Sequence, residues 1–165
     1  MRTTKGRLSV KNYRKNRKSF KATLYVEGQK TATVTAEHKD RYFNFIPTGP
    51  TSSKNHRQNA ETLRDVKQFF KDRGLSLEDA LQQLITEFVY EVDCSKGVVI
   101  GISKDEYQVI GPNRKLKNFI EKNGEKAVEF IQNIIDEQTA RQAPILNYKT
   151  LEELGFKVYN KDDEQ

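Results

Sequence analysis

Hydrophobic and polar residues alternate strictly over residues 19–27, which is the pattern of a β-strand with one buried face. Its apolar positions are Phe20, Ala22, Leu24 and Val26. Residues 30–37 repeat the alternation, with Ala32, Val34 and Ala36 inward. Between the two segments, Gly28-Gln29 predicts a two-residue type II′ turn, because glycine accepts a positive φ without a Cβ clash. The pattern therefore predicts a β-hairpin, and residues 41–46 are expected to add a third short strand.

The apolar spacing changes to that of helices after residues 47–59, a loop-like stretch rich in Pro, Gly, Ser and Asn. Asn59 is a suitable N-cap for a helix over residues 60–73, and Gly74 ends that helix. Its predicted inward positions are Leu63, Val66, Phe69 and Phe70. Ser76 opens a second helix. Its apolar positions keep a helical period: Leu77, Leu81, Leu84, Ile85, Phe88 and Val92.

The second half of the chain predicts another hairpin followed by further helices. Residues 98–100 and 107–110 are short apolar runs separated by a polar turn. Asn113 is expected to cap a short helix, and residues 125–142 form a stronger one. The predicted inward positions of that helix are Val128, Phe130, Ile131, Ile134 and Ile135. A single helical turn capped by Thr150 and an edge strand at residues 156–159 complete the prediction.

Together these elements predict an α+β fold in a chain of 165 residues, long enough to bury a core. We expect a basic N-terminal arm over residues 1–18, and a single domain over residues 19–160 with two hairpins and three to four helices. A frayed acidic tail over residues 161–165 follows. No run approaches the roughly 18 to 20 apolar residues of a membrane span, and no apolar stretch follows the basic start as in a secretory signal. Cys94, the single cysteine, cannot form an internal disulfide, so a reducing cytosol is the expected compartment.

Charge is distributed very unevenly along the chain. The net charge is +6, yet residues 1–30 contain ten lysines and arginines against one acid, a net charge of +9. The other 135 residues contain 19 cations and 22 acids, a net charge of −3. Such asymmetry indicates a polyanionic partner. A basic segment that only keeps the protein soluble is the alternative.

The cationic segment contains the candidate nucleic-acid-binding residues. Closely spaced cations contact phosphates and release counterions, which gives affinity independent of sequence. Tyrosine rings beside cations stack on unpaired bases. The candidates in this segment are Arg2, Lys5, Arg7, Lys11, Tyr13, Arg14, Lys15, Arg17, Lys18, Lys21 and Tyr25. A second cluster, Arg114, Lys115 and Lys117, falls in the predicted first turn of a helix, where an anion could bind. An ordinary exposed face, made tolerable by solvent screening, is the favoured interpretation of this cluster.

These residues predict a non-enzymatic nucleic-acid-binding protein that makes mainly phosphate contacts, with DNA or RNA, strandedness and oligomeric state left open. The first alternative is a small interaction module, an inhibitor or assembly factor of the kind phages encode, that docks on an acidic protein. A metal-dependent nuclease ranks third, with Glu91, Asp93 and Lys96 as the nearest approach to a ligand set. No cofactor or metal is expected. The other conspicuous ligand types lack a zinc-site spacing: His38, Asp40, His56 and Cys94.

Overall fold

The computed structural model describes the backbone of residues 2–3, 6–37 and 42–159, and the side chains of residues 7–37 and 42–159. The strands are β1 (Arg2–Thr3), β2 (Gly6–Lys15), β3 (Ser19–Val26), β4 (Gln29–Glu37), β5 (Asn44–Pro47), β6 (Val98–Ser103) and β7 (Glu106–Ile110). The helices are α1 (Lys54–Lys71), α2 (Leu77–Cys94), α3 (Leu116–Asn123), α4 (Glu125–Ala140) and α5 (Tyr148–Glu153). The predicted α+β class is confirmed. Among the predicted features, those that lie outside the described residues are Lys5, the side chain of Arg2, His38, Asp40 and the tail over residues 161–165.

The chain divides into two compact units, residues 1–88 and 89–165. In the first unit, five strands form an antiparallel sheet in the order β1-β2-β3-β4-β5. Alternate side chains of β3 and β4 are buried as predicted, and they make one face of the sheet part of the core: Ala22, Leu24, Val26, Ala32, Val34 and Ala36. The predicted hairpin is therefore present, and it lies at the centre of a larger sheet.

Strand β2 corrects the prediction of an N-terminal arm. Residues 6–15 form a strand of the sheet, in which Leu8 pairs with Val26 and Val10 pairs with Leu24. Only 1% of Leu8 and 7% of Val10 is exposed. These two apolar residues at alternate positions pack β2 into the core, but they do not stand out in a segment that is mostly cationic.

The β3–β4 turn lies one residue earlier than predicted. Val26 pairs with Gln29, so Glu27 and Gly28 are the two central residues, with φ values of 53° and 76°. Positive φ at both positions is the type I′ geometry, whose twist matches that of the flanking strands, and not the type II′ geometry expected for Gly28-Gln29. The third strand also differs slightly from the prediction and covers Asn44–Pro47.

Helix α1 begins earlier than predicted because Ser53, and not Asn59, is its N-cap. The Oγ atom of Ser53 accepts a hydrogen bond from the backbone N–H of His56 at 3.1 Å. Asn59 lies within the helix, and its Nδ2 donates to the carbonyl of Thr48 at 3.0 Å. A serine three positions before a free N–H satisfies one of the unpaired donors of a helix start. The helix therefore extends over six residues of the predicted loop.

Most of the predicted inward positions of α1 and α2 are buried. They are Leu63, Val66, Phe70, Leu77, Leu81, Leu84 and Ile85. Ser76 opens α2 as expected, because its Oγ accepts from the N–H of Asp79 at 3.1 Å. The exceptions are Phe69, Phe88 and Val92, which are only half-buried. The guanidinium carbon of Arg73 lies 3.5 Å from the ring centroid of Phe69. Pairing with the arginine one turn later stabilises this ring at the surface.

In the second unit, the predicted hairpin is confirmed as β6 and β7. A buried cluster consists of Val98, Leu116, Ile131, Ile135, Ile145, Leu151, Phe156 and Val158. Asn147 is buried beside it, and its Oδ1 accepts from the N–H of Val99 at 2.9 Å. Its Nδ2 donates to the carbonyls of Cys94 at 2.9 Å and Gly97 at 2.8 Å. One side chain thus satisfies three backbone groups where α2 ends and β6 begins.

Three helix predictions in this unit are wrong in detail. Helix α3 begins at Leu116 without a side-chain cap, and Asn113 lies before it with a φ of 54°. Helix α5 begins at Tyr148, because Asn147, and not Thr150, is its N-cap residue. In α4, 42% of Val128 and 48% of Phe130 is exposed. The buried stripe instead includes Ala127 and Gln138, so it is narrower and rotated relative to the prediction.

Residues 156–159, all of them described, are not part of a strand, which corrects the predicted edge strand. Phe156 and Val158 are nevertheless buried, so the alternation reports burial of one side of an extended segment. Hydrogen bonds with Gln132 hold the segment: its Oε1 accepts from the N–H of Lys157 at 3.1 Å and its Nε2 donates to the carbonyl of that residue at 2.9 Å. Among the described helices, none is both long and apolar enough to span a membrane.

Two neighbouring positions of α4 test this packing. Ile131 is fully buried, so Ile131→Ala should lower the free energy of unfolding by about 2 to 5 kcal/mol, through lost burial and a residual cavity. Val128→Ala on the same helix should cost about 1 kcal/mol or less, because that side chain is partly exposed. Chemical denaturation measures both values. Equal losses would show that the inward face of α4 is misassigned.

Candidate nucleic-acid interface

The sheet of the first unit has an outer face, opposite the face that contains Leu24. Residues paired across antiparallel strands project on the same side of the sheet, and neighbours along a strand project on opposite sides. The strand pairing therefore places three cross-strand rows on the outer face. These rows are Ser9, Tyr25 and Lys30; Lys11, Thr23, Thr33 and Ile46; and Arg14, Lys21, Thr35 and Asn44.

A β-bulge in β2 determines which side chains reach this face. Lys11 pairs with Thr23 and Arg14 pairs with Lys21, so three steps along β2 match two steps along β3. Asn12, within the bulge, has a φ of 55°, in the left-handed region that asparagine tolerates better than most residues. The extra residue shifts the alternation by one position. As a result Lys11 and Arg14 lie on the same face, which an uninterrupted strand could not achieve.

The same bulge turns Tyr13 toward the core side, which corrects its predicted role as a ring for stacking on bases. Its centroid lies 5.7 Å from that of Phe20 and 6.5 Å from that of Phe88. Burial raises the pKa of its hydroxyl. Tyr13 therefore belongs to an aromatic cluster of the first unit and is withdrawn from the set of nucleic-acid-binding candidates.

Five cations lie on the outer face, and all of them are exposed: Arg7, Lys11, Arg14, Lys21 and Lys30. Arg7 belongs to the set because the adjacent Leu8 is in the core. Lys30 was absent from the sequence-based candidates. Its pairing with Tyr25 follows from the turn at Glu27 and Gly28, so a correct turn assignment would have identified it.

Three further cations surround the turn between β2 and β3. Lys15, Arg17 and Lys18 are exposed, and the turn begins beside the row that contains Arg14 and Lys21. Lys15 ends β2 and pairs with Phe20, so it projects on the core side of the sheet. The side chain of Asn16 orders this turn, because its Oδ1 accepts from the N–H groups of Lys18 at 2.8 Å and Ser19 at 2.7 Å. We call these three residues the turn cations.

Tyr25 is half-buried on the outer face, as the sequence predicted. The ammonium of Lys11 lies 4.9 Å from its ring centroid, within the range of a cation–π interaction. Shorter hydroxyl side chains occupy the middle of the face, where Thr23 is buried and Thr33 and Thr35 are half-buried. The face is therefore polar and cationic, and short side chains lie beside the ring of Tyr25.

The second predicted cluster lies in the second unit, where Arg114, Lys115 and Lys117 are all exposed. Only Lys117 is in the first turn of α3, because the helix begins at Leu116. Arg114 and Lys115 belong to the preceding loop. The cluster is thus a run of exposed cations along the chain and lacks the strand pairing that orders the outer face.

The candidate nuclease residues occupy the end of α2. Glu91 is exposed, but Asp93 is partly buried, and its Oδ2 accepts a hydrogen bond from the hydroxyl of Tyr107 at 2.6 Å. Burial and this bond raise the pKa of Tyr107. In the described part of the chain, no group of three or more His, Cys, Asp or Glu residues is arranged to hold a metal ion. Asp93 is therefore a hydrogen-bonded link to β7.

The two other candidate ligands that the structure describes, His56 and Cys94, are also engaged by local structure. Nδ1 of His56 lies 3.1 Å from the carbonyl oxygen of Gly49, in the loop that precedes α1. Cys94 is buried, and burial raises the pKa of its thiol, which makes it a poor nucleophile. It therefore serves as a small buried hydrophobic residue.

Comparison of the chain with protein-family models, with curated proteins and with solved structures gives no match. The function is therefore argued from the arrangement of the residues.

Incubation of labelled DNA and RNA with Mg²⁺ or Mn²⁺ tests the nuclease hypothesis. We expect no metal-dependent cleavage, because the carboxylate of Asp93 is engaged by Tyr107. Asp93→Asn is the matched control, since an amide oxygen can still accept that hydrogen bond. Cleavage by the wild type that this variant lacks would make the protein a nuclease.

Proposed function

We propose that the protein binds nucleic acid without catalysing a reaction, through the outer face and the turn cations. The observation that carries the proposal is the alignment of five exposed cations on one face of a single sheet, with the three turn cations at the end of two of its strands. Phosphate groups supply the complementary charge in a regular array, and the affinity comes largely from released counterions.

The geometry of the face suits a long anion. From Arg7 to Arg14 the chain advances by seven residues, one of which the bulge adds without advancing the pairing, so the distance is roughly 20 Å at about 3.3 Å per residue. Lys21 and Lys30 extend the charge onto the next two strands. The described strands and turns of this sheet contain two acids, Glu27 in the turn and Glu37 at the end of β4. Positive potential therefore dominates the face over its length.

The side chains of the outer face are of the types that bind the backbone of a nucleic acid. Lysine, arginine and threonine side chains bind phosphate and sugar oxygens, and no described element of the face is a helix that could enter the major groove. We therefore expect limited sequence preference. A cytosolic location, where Cys94 would stay reduced, belongs to the same proposal.

The alternative, docking on an acidic protein, would use the same cations. It differs in what competes for the face, since a protein surface presents carboxylates at irregular spacing and a nucleic acid presents phosphates at regular spacing. The ring of Tyr25 beside Lys11 favours nucleic acid, because an aromatic ring can stack on a base while the neighbouring cations bind phosphates.

Neutralising the outer face tests the proposal. If about five phosphates are neutralised, the slope of log K against log salt should be roughly −3.5 to −4.5 in the wild type. The triple change Lys11→Gln, Arg14→Gln and Lys21→Gln should flatten this slope by about 2 to 3 and weaken binding on the order of 100-fold at about 0.1 M salt. Fluorescence anisotropy with labelled oligonucleotides measures both quantities.

The matched control neutralises three exposed lysines outside the outer face: Lys71, Lys122 and Lys126. It removes the same charge, so equal effects of the two triples would show that only net charge matters and would refute the proposed site. Point changes are the appropriate test. Deleting residues 1–18 would remove β2 and its buried Leu8 and Val10, and would therefore confuse binding with folding.

A further inference from the structure

We infer, on the basis of the proposed function, that the preferred ligand is single-stranded nucleic acid, with an unpaired base stacked on Tyr25 and its phosphate bound by Lys11. The first step is the position of the ring. Tyr25 is the one aromatic residue in the three described rows of the outer face, and its row neighbours are Ser9 and Lys30. A small serine on one side leaves room for a flat base beside the ring.

The second step is the pairing of ring and charge. The ammonium of Lys11 lies 4.9 Å from the centroid of Tyr25, although the two residues belong to different rows and different strands. A nucleotide likewise presents a flat base and an anionic phosphate on either side of one sugar. The flexible stem of Lys11 allows its ammonium to turn from the ring to a phosphate while the base occupies the ring face. The two side chains together therefore match one nucleotide.

The third step is the shape of the face. Thr23, Thr33 and Thr35 form its middle, and these short side chains allow a strand to lie close to the sheet. Ile46, which is 49% exposed, ends the row of Lys11 and offers a further apolar contact. A strand that crosses the rows would meet the cations at its backbone and the ring or the isoleucine at its bases.

The fourth step concerns duplexes. Base faces are covered by stacking inside a duplex, so a ring on a sheet surface can reach only the outside. The major groove is about 12 Å wide and admits a two-stranded ribbon. Here β2 and β3 are continued by β4 and β5, and four strands about 4.8 Å apart are roughly 14 Å across before side chains are counted. The sheet is too wide to enter the groove, so a duplex would gain phosphate contacts alone.

The test compares three labelled probes of one length: an oligothymidylate, the same backbone without bases, and a duplex. The wild type should bind the oligothymidylate most tightly. Tyr25→Leu should weaken its binding by about 5- to 150-fold, the effect of losing one stacked base. The same change should alter binding of the abasic strand by less than about twofold, since that probe has no base to stack. Tyr25→Phe should behave like the wild type.

The outcomes separate this inference from the proposed function. Salt-dependent binding of all probes without an effect of Tyr25→Leu overturns the stacking inference and leaves the proposed function standing. A duplex bound as tightly as the oligothymidylate also overturns the inference alone. Absence of salt-dependent binding to every probe overturns both. Equal weakening on the oligothymidylate and the abasic strand would mean that the substitution perturbs the sheet and that stacking on Tyr25 is not the cause.

Discussion

The bulge at Asn12 is the constraint on which the candidate site depends. Without it, alternation along β2 would place Arg14 on the core side of the sheet and Tyr13 on the outer face. With it, Arg14 joins Lys11 and Lys21 on one face, and Tyr13 packs against Phe20. A left-handed φ such as that of Asn12 costs an ordinary L-residue about 1 to 2 kcal/mol, and asparagine tolerates it better. Packing of the half-buried Tyr13 ring against Phe20 favours the same bulge, so packing of the core and assembly of the cationic face are coupled through one residue.

The sequence predicted the elements in which the spacing of apolar residues repeats over many positions. It did not predict those in which that spacing covers only a few residues. The hairpin of β3 and β4 was predicted because the alternation continues over two strands. Strand β2 was missed because only Leu8 and Val10 alternate in it before the bulge interrupts the period. The starts of α1 and α5 were predicted wrongly, because the N-cap residues are Ser53 and Asn147 and not Asn59 and Thr150. Polar residues that could cap a helix recur along these loops, and tertiary contacts decide between them.

The residues of the candidate site could likewise be predicted only in part from the sequence. Charge asymmetry identified most of the outer-face cations, since charge requires no knowledge of the fold. It could not separate Tyr13 from Tyr25, because their difference depends on the bulge, and it missed Lys30, whose place depends on the turn at Glu27 and Gly28. The cations at Arg114–Lys117 resembled a site in sequence, but the structure gives them no common face of strands. The pairing of residues across strands shows which of the cations lie on one face of the sheet.

Mapping of backbone amide chemical shifts during titration with a single-stranded oligonucleotide tests the central claim most directly. We expect the largest changes along the rows of the outer face, at Lys11, Thr23 and Thr33, and at the turn of Arg17 and Lys18. Residues 89–159 should change little. Changes confined to the loop before α3, or spread evenly over every exposed cation of the chain, would contradict the assignment of the outer face as the binding site.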